Sequence, residues 1–158
     1  MENDEVILKW IGGVVGSRDR SAERIKRIAE VIRSVRGYRW VGIYEVTNTE
    51  IAAIAWTGTE VPAYPRFPIS QGLCGAAVKS RVPIVVGDVR NDPRYLTTFG
   101  STQSEIVVPV KDATGKVVGL IDVERERPNA FQDEDTRFLR SCASAILPMF
   151  QEGFAMES

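Results

Sequence analysis

Apolar residues recur along this chain at two periods, and the points where the period changes mark out its elements. From Ser21 to about Val35, the residues Ile25, Ile28, Ala29, Ile32 and Val35 fall at the spacing of a helix with one buried stripe. Ser21 is a suitable N-cap and Gly37 the stop. Ahead of it, the run VILKWIGGVVG (6–16) also reads as a helix, although Gly12-Gly13 lowers its helicity. So apolar a segment must pack on the domain or on a partner chain. Near the end, Phe138, Leu139, Cys142, Ala145, Ile146 and Met149 trace a single stripe over about 133–150. That helix opens on Asp133-Glu134-Asp135, suited to the positive end of the helix dipole, and Pro148 is expected to kink or end it.

Between the helices the period shortens to two. WVGIYEV (40–46) and IAAIAW (51–56) read as strands joined by a short hairpin link. EIVVPVK (105–111) and VVGLIDVE (117–124) flank Asp112-Ala-Thr-Gly115 and read as a second hairpin. PIVVGDV (83–89) is a further strand, and a short helix is expected from Leu73–Gly75 to about Ser80. Residues 58–71, with three prolines and Gly58, and residues 90–103 read as irregular loops. This order predicts an α+β fold, a central antiparallel sheet with the N- and C-terminal helices packed on one face. One domain is expected over 1–158: helices in 1–37, sheet and loops in 38–130, and the last helix in 131–152.

Alternation assigns side chains to faces. Trp40, Gly42 and Tyr44 share a face, as do Glu105, Val107 and Pro109, and Val118, Leu120, Asp122 and Glu124. Two aromatics flanking a glycine are either core packing or the roof of a gap. Asp122 lies inside an apolar run, which is costly unless it finds a partner. The second hairpin brings Glu105 towards Asp122 and Glu124. Three carboxylates together repel unless a cation sits among them. A ligand ammonium is one such cation; Arg125, Arg127 or Arg81 is the structural alternative, and Glu124 turned to water is another.

Composition narrows the chemistry. With 158 residues, 44% of them hydrophobic, the chain can build one continuous core. A formal charge of −1 gives no long-range pull towards nucleic acid or an anionic membrane, and the basic cluster Arg18, Arg20, Arg24, Lys26 and Arg27 reads as a solvated helix face. There is no histidine, which excludes Ser–His and Cys–His dyads and histidine metal sites within one chain. The two cysteines, Cys74 and Cys142, suggest neither zinc nor a disulfide framework. No cofactor, metal, nucleic-acid or membrane association is expected. The acidic start lacks a signal-peptide pattern, and the default setting is cytoplasmic. Cys142 belongs to the last helix's core stripe. Cys74, in QGLCGAA at a helix start, is either a thiolate favoured by backbone N–H groups or a buried inert thiol.

WVGIY (40–44), ISQGLCG (69–75), PIVVGDV (83–89), SEIVVPV (104–110), GLIDVE (119–124) and FQDEDTRFL (131–139) together resemble the GAF-domain free methionine-(R)-sulfoxide reductases. The resemblance spans essentially the whole chain and implies a GAF fold with long loops covering a ligand pocket. It implies that Trp40 and Tyr44 form an aromatic pair over the ligand, and that Glu105, Asp122 and Glu124 bind its amino group. Glu124 stands where the family pattern has an aspartate. The family's three pocket cysteines correspond to Tyr64, Cys74 and Thr98, and the usual nucleophile is at the last position. A threonine cannot carry the thiol cycle. The expectation is therefore a ligand-binding, possible sensor module without catalysis. One alternative is a reductase working through Cys74 with thioredoxin or a small external thiol. Another is a dimerisation module with a vestigial pocket, pairing through the first helix and Trp10, and a homodimer is expected in any case.

Overall fold

The computed structural model describes residues 2–15, 22–58, 61–96 and 100–152. Four helices, α1 (Glu2–Val15), α2 (Ala22–Arg36), α3 (Gly72–Ser80) and α4 (Asp133–Glu152), surround six strands: β1 (Trp40–Val46), β2 (Glu50–Thr57), β3 (Arg66–Pro68), β4 (Ile84–Val86), β5 (Ser104–Lys111) and β6 (Val117–Arg125). The strands form one sheet in the order β3-β2-β1-β6-β5-β4, with every neighbouring pair antiparallel. This is the α+β architecture expected from the alternation of periods.

Period-two strands give the sheet two different faces. Val41 and Ile43 of β1, Ile106, Val108 and Val110 of β5, and Ile121 and Val123 of β6 pack against α1, α2 and α4. The other face carries Trp40, Tyr44, Ile51, Val107 and Leu120, and α3 covers it with Leu73, Cys74 and Ala77. Cys142 is fully buried in the first of these cores. Gly37 ends α2 at φ +64°, as its position suggests, while Ser21 lies outside the described residues.

Several expectations need correction. α1 starts earlier, at Glu2, and α4 runs on past Pro148 to Glu152. The irregular stretch 58–71 contains β3, which pairs with β2 through Ile51 and Phe67, and the expected strand 83–89 shrinks to three residues. A 3₁₀ turn follows at Val89–Asn91, capped by the Asp88 carboxylate accepting from the Arg90 N–H. Val118 does not share the face of Asp122. The register slips between Val110 and Lys111, an extra residue in β6 opposite one in β5, so Val117 joins the α3 side and Val118 packs towards the helices. Val6 and Trp10 remain exposed on α1.

Candidate functional site

The site is written in three adjacent strands. β6 lies between β1 and β5, and antiparallel register sets Glu105 opposite Glu124 and Val107 opposite Asp122. On the other side Trp40 faces Glu124 and Gly42 faces Asp122. Two consecutive rows therefore carry three carboxylates and an aromatic residue on one face. One carboxylate oxygen from each of Glu105, Asp122 and Glu124 lies within 4.8 Å of the others. All three side chains are buried, Glu124 completely.

Two of the arginines considered above, Arg125 and Arg81, are engaged elsewhere. The Arg125 guanidinium stacks on Tyr38 and Phe131, 4.9 and 5.9 Å from the ring centroids, and donates to the Arg36 carbonyl at 2.8 Å. Arg81 lies by Gly115 in the β5–β6 turn, at the far end of the hairpin. Glu124 accepts a 2.7 Å hydrogen bond from the buried Thr102 hydroxyl. Glu105 and Asp122 present carboxylate oxygens to each other within 4.8 Å, a spacing at which one of the two is favoured in its protonated form. Burial, and then the charges of Asp122 and Glu124, push the Glu105 carboxyl well above the usual carboxylate range. Burial raises Asp122 as well, and Glu105's hydrogen bond opposes that rise. The second Asp122 oxygen, Oδ1, is buried without a hydrogen-bond partner among the described residues.

Above the acids lies a cavity of about 20 Å³, room for one water-sized group. Tyr44, Phe67, Cys74, Leu96, Glu105 and Asp122 are among its walls, with Tyr64 at its edge. Trp40 and Glu124 are absent from this lining and sit one layer back. The Trp40 and Tyr44 rings approach to 6.5 Å at 53°, and Phe67 meets Tyr44 edge-on at 6.1 Å. These rings fill the space over Gly42, which is the core-packing alternative of the two that the sequence left open. Phe67 and Leu96 were invisible to pattern reading, since both lie in stretches without a period.

Cys74 is the third residue of α3, yet the helix start does not favour its thiolate. Burial and the neighbouring Asp122, Glu105 and Glu124 charges push the thiol pKa well up. The buried, protonated thiol is the form this setting supports. Alkylation by iodoacetamide at pH about 8 should accordingly be at least about tenfold slower than for an exposed cysteine; labelling as fast as a model thiol would contradict this. Thr98 lies outside the described residues.

Oxygen-only donors of this kind suit either an organic ammonium or a hard divalent cation. The wall of Tyr44 and Phe67 favours the ammonium, which gains from aromatic faces.

Residues 22–146 match the model of the GAF domain. The free methionine-R-sulfoxide reductase of Saccharomyces cerevisiae is 36% identical over 108 residues, 68% of this chain and 60% of that protein. The structure of the type II free methionine-R-sulfoxide reductase from Thermoplasma acidophilum superposes with a TM-score of 0.79 at 32% identity, covering 84% of this chain and 93% of that one. The Neisseria meningitidis enzyme in complex with its substrate does so with a TM-score of 0.83 at 28% identity, covering 94% and 88%. Family model, relatives and superposed structures agree: this chain belongs to the GAF domain family and is related within it to the free methionine-R-sulfoxide reductases.

Proposed function

We propose that this domain binds the ammonium group of a small amino-acid-like ligand at Glu105, Asp122 and Glu124 and acts as a ligand-responsive module, not as a reductase. The observation that carries the reading is Asp122 Oδ1, buried and without a hydrogen-bond partner among the described residues, beside a cavity the size of an ammonium group. A cation there would offset the repulsion among the acids and displace the shared proton of Glu105 and Asp122. Methionine and its sulfoxide belong to this ligand class, in keeping with the related enzymes. Calorimetric titration with methionine, both methionine sulfoxide epimers, norleucine and matched acids lacking the amine tests the reading. Runs with a chelator and with Ca²⁺ or Mg²⁺ separate the amine from a metal. Binding confined to amines is the expected result; silence across the panel, or equal binding of the deaminated acids, would overturn it.

A second reading has its own support, because Cys74 lines the same cavity as Glu105 and Asp122. In that case the sulfoxide oxygen would pass to Cys74 as the S–O bond breaks, leaving a thioether and a sulfenic acid. Two external thiols would then return Cys74 to the thiol, releasing water and forming their disulfide. The raised thiol pKa opposes this route. Incubation with dithiothreitol and methionine-(R)-sulfoxide should give no turnover above background, and Cys74→Ser should bind ligand within about threefold of wild type, a change below about 1 kcal/mol. Turnover that Cys74→Ser removes would establish the enzyme instead.

A further inference from the structure

On the helix side of the sheet, the edge beyond β5 is left without cover. β4 holds only Ile84–Val86, and Val85, which shares the helix-side face with its partner Ile106, is 49% exposed. α4 packs over β5 and β6, and between it and the end of β5 lies a cavity of about 170 Å³. Val108, Ala143 and Leu147 give this cavity an apolar floor, with Pro83 at its side. Lys111, Arg140 and Ser144, all exposed, stand at its rim.

Neither rim cation is matched by a carboxylate. Among the described residues, Lys111 and Arg140 form no ion pair. The local sequence explains this. Arg140's neighbours one turn away on α4 are Thr136, Arg137, Ala143 and Ser144, none of them acidic. Asp112, next to Lys111, has its Oδ1 committed to the β5–β6 turn, where it accepts from the Thr114 and Lys116 amides at 2.9 and 3.1 Å. Two positive charges therefore border an apolar hollow, an arrangement that an anion beside them would relieve.

From this combination of an apolar floor and two unpaired cations, we propose a second binding site, for a small organic monoanion with a ring-sized apolar body. Its carboxylate lies between Lys111 and Arg140, within reach of the Ser144 hydroxyl, and its ring rests on Val108, Ala143 and Leu147. Size sets the class. An apolar cavity of about 150 Å³ takes a benzene ring, so an aromatic carboxylate fits and a long acyl chain does not. Exposed charges alone hold a ligand weakly, and burial of the ring supplies the remainder. The site lies across the sheet from Glu105, Asp122 and Glu124 and is independent of the ammonium reading.

Benzoate is the probe, titrated into the whole chain by calorimetry and by methyl-labelled NMR. It should bind with a Kd of about 1 mM, and about 20 mM should raise the melting temperature by about 4–7 °C. Benzamide, the neutral isostere, and inorganic phosphate, which has no ring, should each bind at least about tenfold more weakly. Arg140→Gln and Lys111→Gln should each weaken benzoate about two- to fivefold, and both together about tenfold. Ser144→Phe, at an exposed position, should occupy the hollow and abolish benzoate binding, whereas Asp122→Asn should leave it unchanged. The site is disproved if benzoate shifts no methyl of Val108 or Leu147 up to about 50 mM, if benzamide matches it, or if the double charge variant binds as wild type does. Phosphate binding as tightly as benzoate would reduce the site to a charged surface and overturn it too. Should Ser144→Phe fail to fold, the two charge variants, both at exposed positions, carry the same test.

Discussion

Asp122→Asn is expected to abolish measurable amino-acid binding and, at the same time, to make the ligand-free protein more stable above neutral pH. The two effects have one cause. Glu105, Asp122 and Glu124 are buried within 4.8 Å of one another because β5 and β6 place two of them opposite each other and the third one row along. A ligand ammonium needs those charges, and removing one partner of a buried charged pair costs about 2–5 kcal/mol, some thirtyfold to several thousandfold in affinity. Without a ligand the same charges work against folding. Glu105 and Asp122 both have folded-state pKa values above their unfolded ones. Their contribution to stability is therefore fully present below the ordinary carboxylate pKa and is lost as pH rises through the raised values. The ligand-free melting temperature should fall between about pH 5 and about pH 8, by about 2–4 °C for each kcal/mol lost. In Asp122→Asn, and in Glu105→Gln, that fall should be shallower. Melting curves across this range, with and without methionine, are the check. A variant that is less stable than wild type at pH about 8 and still binds would mean that the protein's own groups already balance the acids.

Gly42→Ala is expected to be strongly destabilising for the addition of a single methyl group. A Cβ there would stand 2.7 Å from Trp40 Cζ3 and 2.9 Å from Tyr44 Cε1. Both rings are almost fully buried. Neither can move away easily, since Tyr44 is held edge-on by Phe67 and Trp40 lies in the row of Glu124. Overpacking of this kind costs about 3 kcal/mol, or about 6–12 °C of melting temperature in a chain of this size. Because Asp122 is the cross-strand neighbour of Gly42, ligand binding should be lost with it. Differential scanning calorimetry settles the point; a shift below about 2 °C would show that the rings are loosely held.

Much of this fold was legible because the helices and paired strands are strongly periodic. The stripe from Ile25 to Ile32 and the alternation in 105–111 each admit one way of burying their apolar residues, and the structure adopts it. Phe67 and β3 were not legible, since a three-residue edge strand among prolines has no period to read. Val118 was assigned to the wrong face because a bulge of one residue inverts alternation, and only pairing with Lys111 reveals it. Trp40 and Tyr44 were found as a pair. Their identities could not say whether the rings enclose space or fill it.

By itself the amino-acid order determined the element types, the two faces of the sheet and the presence of acids on the face opposite the main helices. These follow from local spacing, and spacing is what a linear chain records. Tertiary structure alone decided that the Trp40 and Tyr44 rings fill the space over Gly42, that Cys74 lies in the field of three carboxylates, and that Leu96 rests on Gly72. Electrostatic fields and steric exclusion depend on distances between residues remote in sequence, and those distances exist only once the sheet has closed its register.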